Sequence, residues 1–165
     1  MPKLEQLHES HAEAVLAFEV ANRAWFARSV PDRGDDYFAG FAARHAALLA
    51  EQAAGTCRFH VLVDDAGAVL GRFNLLDFSN GAAELGFRMA ERAAGRGLAK
   101  LAVRQIFSLA RDDYGLRTLI AFAAEENAAS RAVLRGTGFV PAGVAVIGGV
   151  LSIRHIRDLA DPLQR

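Results

Sequence analysis

Residues 82–100, AAELGFRMAERAAGRGLAK, decide the fold. Leu85, Phe87 and Met89 alternate with Glu84, Gly86 and Arg88. That period of two marks a strand. Arg92, Ala93, Ala94, Gly95, Arg96 and Gly97 then make a glycine-punctuated turn. From Leu98 the period lengthens. Leu98, Leu101, Ala102, Gln105, Ile106 and Leu109 recur at helical spacing.

A strand that hands a glycine turn to a helix start makes an anion site. The first helical N–H groups lack intrahelical partners and carry partial positive charge. Glycines let a diphosphate approach the backbone. Arg92, Arg96 and Lys100 add cations nearby. The residues themselves therefore point to phosphate binding, with a plain helix-capping turn as the alternative. Two well-known phosphate loops are excluded. GxxxxGK[ST] fails because Leu101 follows Lys100, and GxGxxG fails because Lys100 stands where its third glycine belongs.

The chain has 165 residues, enough for one domain with a real core, so a single domain over 1–165 is expected. Formal net charge is zero, which gives no global basic field for DNA. Cys57 is the only cysteine, so no intrachain disulfide and no cysteine zinc site can form. The five histidines show no metal spacing, and no metal is expected. No apolar run reaches the ~20 residues of a membrane span. The N-terminus, MPKLEQLHES, lacks a signal-peptide core, so a cytoplasmic protein without membrane partners is expected.

Taken in order, Lys3–Leu7 reads as a short strand. Ser10 with Glu13 reads as a capping box for a helix through Ala21, extended or closed by 22–26. Val30–Asp35 is a loop, and Asp35 or Asp36 is placed to cap a second helix running to about Ala53. Strands at 58–64 and 69–77 form a hairpin, and Ser79-Asn80-Gly81 turns into the strand at 82–89. After the glycine turn, a helix to about Asp113 and a strand at 116–124 follow. Asn127 then caps a helix ending near Gly136–Gly138. Two last strands are expected at 139–147 and 150–156, and Asp161-Pro162 opens a short tail. This is β-α-α-β-β-β-α-β-α-β-β, an order that packs as a mixed sheet covered by helices.

Arg92-x-x-Gly95-x-Gly97 after a strand resembles the acetyl-CoA loop of the GNAT N-acetyltransferases. Asn127-x-x-Ser130, a helix and then Gly138-Phe139 resemble the second half of that signature. The element order matches over nearly the whole chain. The resemblance implies an α/β (α+β) GNAT fold: a mixed, mostly antiparallel central sheet with helices on both faces, splayed between strands 4 and 5. It implies acetyl-CoA as co-substrate, held by Phe87, Arg88 and Met89, by Arg92, Ala94, Gly95, Arg96, Gly97, Leu98 and Ala99, and by Asn127 and Ser130. An amine would attack the thioester directly. Glu84 is the candidate base, with Glu125 and Glu126 as alternatives and a structural salt bridge as its other reading. Many members carry a tyrosine where Leu134 stands, which leaves Ser130 as the candidate for handling the thiolate.

The segment from Phe18 to Phe26 and the Asn127 run look like RimJ/RimL-type proteins. That likeness implies a protein N-terminal α-amine as acceptor and makes Arg23, Trp25 and Phe26 candidate substrate contacts. Core packing is the other reading of the two aromatics. A small-molecule amine acceptor and a non-catalytic acyl-CoA sensor remain alternatives. Monomer and homodimer are both open.

Overall fold

The structure, a computed structural model, describes residues 1–161, and Pro162 of the expected tail lies outside them. Among the described residues, seven strands, numbered in chain order, form one sheet in the order β1-β2-β3-β4-β5-β7-β6. The chain divides into two compact units, Met1–Asn74 with Phe87–Arg96, and Leu75–Gly86 with the chain from Gly97 onward. The divisions fall inside β3 (Val69–Ser79) and β4 (Ala82–Met89).

The first unit opens with β1 (Lys3–Gln6), paired antiparallel to β2 (Arg58–Val63) from Lys3↔Val63 to Gln6↔His60. Between them lie α1 (Ala12–Ala21), α2 (Arg23–Ala27), α3 (Asp35–Ala39) and α4 (Phe41–Ala53). Val15, Phe18, Val61, Leu62, Leu70 and Phe73 are its buried core. Apolar burial of this kind contributes roughly 1.5–3 kcal/mol per large side chain. Phe73 stacks on Phe87 of β4 with ring centroids 5.8 Å apart.

The second unit holds α5 (Leu98–Asp112), β5 (Thr118–Ala124), α6 (Ala128–Gly136), β6 (Val140–Ile147) and β7 (Val150–Asp158). Leu85, Val103, Ile106, Leu119, Leu134 and Phe139 are buried in it. β5 pairs antiparallel with β7, and β7 with β6. The β4–β5 pair is the parallel one, with register from Ala82↔Thr118 to Glu84↔Ile120. Leu85 and Gly86 continue β4, and Ala121–Ala124 continue β5, outside that register.

Three local expectations are corrected. Ser10 does not cap the first helix. His8 does the capping, of a short 3-10 turn at Glu9–His11: its Nδ1 accepts the Ser10 N–H while its own N–H donates to His11 Nδ1. The two imidazoles satisfy the end reciprocally, which displaces the Ser10–Glu13 box. The helix expected to run from Asp35 to Ala53 is two helices, broken at Gly40, the poorest helix former after proline. Its cap is Gly34 rather than Asp35 or Asp36, with Asp32 accepting the Gly34 N–H.

His60 on β2 is 1% exposed, with Nδ1 3.1 Å from the Phe73 carbonyl oxygen. Burial pushes its pKa down to about 4. The unfolded chain, near 6.5, then binds the proton that the folded chain refuses. The resulting contribution is complete above about pH 6.5 and is lost as pH falls towards 4, and it amounts to roughly 3 kcal/mol. Denaturant melts of His60→Leu against wild type across that window should show a shallower pH slope in the variant. Identical slopes would remove His60 as the cause.

Candidate active site

In the second unit, Glu84 sits at the end of the paired stretch of β4, opposite Ile120. It is half-buried, and among the described residues of its unit nothing hydrogen-bonds or ion-pairs with its carboxylate. Burial first, and the charge of Asp77 second, push its pKa above the ordinary glutamate range. A carboxylate so placed takes up protons more readily than an exposed one, as a base must.

Gly97, the residue before α5, has φ of +74° and, being glycine, brings no side chain to cap the helix. The first intrahelical acceptor used is the Gly97 carbonyl, bound by the Leu101 N–H at 3.2 Å. The N–H groups of Leu98 and Ala99 thus open the helix without a side-chain partner. A Cβ on Gly97 would meet nothing within 4 Å, and the same is true of Gly95, whose φ is +73°. Glycine is needed at both for the backbone, and the space above both is open. That fits the diphosphate end of an acetyl-CoA molecule.

Lys100 departs from its expected place beside the loop. Its Nζ lies 2.8 Å from where a Cβ of Gly136 would stand, so it packs on the end of α6. Arg104 reaches the Gly136 carbonyl from the same helix at 3.3 Å. The C-terminal end of a helix attracts cations, and α6 takes both. At the other end of α6, Asn127 Oδ1 accepts the Ser130 N–H at 3.2 Å, the cap that was expected. Ser130 is half-buried in that first turn, and Leu134 is wholly inside the core.

In the first unit, the side chain of Phe87 lies on Phe73, and that of Met89 lies where a Cβ of Gly71 would stand, with Sδ 2.5 Å away. The Met89 carbonyl accepts the Trp25 indole N–H at 3.2 Å, which orients that half-buried ring. Phe26 is buried, with the Arg88 guanidinium 4.4 Å from its ring centroid. Arg23 is engaged by Asp32 and Asp35, at 2.8 Å each, and lies over Phe38. Those carboxylates raise its pKa, so it is held fast rather than left free. Arg92 reaches Asp64 Oδ2 at 3.5 Å, while Asp64 caps its own turn through the N–H groups of Ala66 and Ala68. Ala94, Gly95 and Arg96 are exposed.

The model of the acetyltransferase (GNAT) domain matches residues 3–140. The chain belongs to this family. GNAT domains are acyltransferases, and the acyl donor of the family is acetyl-CoA. Solved structures share the fold. The ribosomal-protein-S5-alanine acetyltransferase of Vibrio fischeri is 21% identical, with 97% of this chain and 94% of that one covered at a TM-score of 0.88. Mycobacterium smegmatis RimJ, in complex with CoA-disulfide, is 20% identical over 95% and 81% at 0.84. A spermidine/spermine N-acetyltransferase of Vibrio cholerae is 18% identical over 99% and 98% at 0.76. No curated protein matches the chain in sequence.

One cluster in this GNAT domain escaped the sequence. Glu19, Arg33, Arg72 and Arg88 meet in the first unit, although they come from four separate segments with no common spacing. Only the alternation that put Arg88 on the Glu84 face of β4 hinted at it.

Gly97→Trp should fold with a modest loss, on the order of 1–2 kcal/mol for a side chain at positive φ. The indole would fill the open space above the loop. Calorimetric affinity for acetyl-CoA should fall more than a hundredfold, and unchanged affinity would remove the loop from the binding site.

Proposed function

We propose that this GNAT domain transfers the acetyl group of acetyl-CoA to a primary α-amine, as at a protein N-terminus. The half-buried Glu84 carboxylate, unpaired among the described residues and with its pKa raised, carries the reading. The diphosphate rests on the open backbone of Gly95–Ala99, with Arg92 and Arg96 adding charge. The backbone of Phe87–Met89 lines up the pantetheine amides, and Asn127 and Ser130 complete the donor site. Trp25 and Phe26 form part of the acceptor side. Arg23 acts there only through the Asp32 and Asp35 that hold it.

The amine nitrogen attacks the thioester carbonyl and a C–N bond forms. The C–S bond breaks and its electron pair leaves on the thiolate. Glu84 takes the ammonium proton, directly or through one water, while the Ser130 hydroxyl donates a hydrogen bond to the departing thiolate, which takes its proton from solvent. A buried Leu134 leaves no phenol for that step. The neighbours in fold include enzymes named for ribosomal-protein-S5 alanine and for the N-terminal serine of L7/L12, which supports a peptide acceptor. A second named group acts on spermidine, and small amines belong in the same assay.

Thiol release from acetyl-CoA, followed against alanyl and seryl peptides and spermidine, tests the acceptor. Peptide turnover at the higher kcat/KM is expected, and spermidine as the better substrate would overturn the α-amine reading. Glu84→Gln should lower kcat by roughly 10²–10⁴-fold. It should also remove from the acid side of the pH profile the ionisation of Glu84, which lies above the ordinary glutamate value in wild type, and leave that of the amine. A variant that keeps both the rate and that ionisation would exclude Glu84 as base.

A further inference from the structure

Glu19 on α1 is 1% exposed, and three guanidiniums close on its carboxylate. Arg72 reaches Oε2 at 2.9 Å, while Arg33 and Arg88 reach Oε1 at 3.0 and 3.1 Å. Arg72 alone balances the charge, and Arg72 also reaches the Tyr37 hydroxyl at 3.3 Å. The cluster therefore carries two positive charges more than its single carboxylate can offset. Asp32 and Asp35, close to Arg33 in the chain, are engaged by Arg23.

The surplus is open to a ligand. Arg72 is buried, but the side chains of Arg33 and Arg88 keep 33% and 22% of their exposure. Arg33 lies over Tyr37 at 4.6 Å and Arg88 over Phe26 at 4.4 Å, so the planes of both are fixed by aromatic rings. Fixed guanidiniums are the donors that bind carboxylates in a forked geometry. Burial, and repulsion from Arg33 and Arg72, hold the Arg88 pKa below its usual value, and an added anion would relieve that repulsion. Asn74, on the Arg72 face of β3 by strand alternation, has a buried Oδ1 with no hydrogen-bond partner. A ligand that brings an N–H as well as an anion would satisfy both features.

We propose that Arg33 and Arg88, held over Glu19 with Arg72, form a recognition site for a carboxylate carried by the amine acceptor. This rests on the acetyltransferase reading and narrows it. The preferred acceptor is an amine with a carboxylate in the same molecule, either the terminal carboxylate of an amino acid or very short peptide, or an acidic side chain near a peptide N-terminus. A polyamine brings only like charge to the cluster, and like-charge juxtaposition is unfavourable.

Calorimetry with acetyl-CoA comes first. No binding there would sink the transferase reading itself, independently of the acceptor. Two acceptor pairs then isolate the charge: a short alanyl peptide with free or amidated C-terminus, and a longer C-terminally amidated one with Glu or Gln near its start. Wild type should show at least a tenfold higher kcat/KM for the acidic member of one pair, expressed in KM, and the pair that shows it names the carboxylate's source. Arg33→Gln should bring that ratio close to one, while Arg33→Lys should keep most of it. Should Arg33→Gln fail to fold, the wild-type ratio must still shrink as salt is raised. A ratio near one for both pairs in wild type, a ratio that survives Arg33→Gln, or a salt-insensitive ratio would each reduce the cluster to a structural ion network and overturn the proposal.

Discussion

A carboxylate leaves water only at a cost of several kcal/mol, and it stays buried only if cations and donors meet it. Glu19 imposes that constraint on the first unit. Its three partners come from the loop before α3, from β3 and from β4. α1 cannot move relative to those strands without stranding a charge. The rings of Phe26 and Tyr37 take the faces of two of the guanidiniums, so the apolar packing and the ion network fix the same side chains. Three guanidiniums on one carboxylate leave a net positive charge in the network, and the recognition site proposed above rests on that surplus.

Periodicity carried most of the fold into view. The alternation of 82–89 and the helical repeat from Leu98 are both where they were read, because burial on one face leaves a period in the chain. Capping was less legible. A Ser-x-x-Glu box is a strong local signal, yet His8 and His11 outcompeted it with a reciprocal pair that no spacing rule anticipates. Gly40 was readable as a poor helix residue, but its neighbours supplied enough apolar spacing to hide the break. The Glu19 cluster was invisible for a different reason. Ion pairs between distant segments leave no periodic trace, and they emerge only when tertiary packing brings the segments together.

The glycine loop was legible as a motif, and the structure alters how its charge is understood. Arg92, Arg96 and Lys100 stand near it in sequence as added cations. Lys100 turns instead to the end of α6, and Arg92 is shared with Asp64. Arg96 is exposed. What the loop offers an anion is therefore chiefly backbone: an uncapped helix start and glycines with open space above them. Binding of that kind depends on close approach rather than on long-range attraction, and it is correspondingly less sensitive to salt.

Leu134 bears on the chemistry in the same economical way. Leu134 is buried in the core, and on the function proposed above its position supplies no phenol for the leaving group. The loss is tolerable on acid–base grounds. A thiol titrates near 8.5, so its thiolate leaves readily and needs little help from an acid. The amine is the harder partner, because at neutral pH it is protonated and unreactive. An α-amine, with a pKa near 8, gives up its proton far more readily than an alkylamine near 10.4. A carboxylate, even one raised by burial as Glu84 is, remains a weak base. Weak base and weakly basic amine suit each other, so on the function proposed above that match favours an α-amine over an alkylamine.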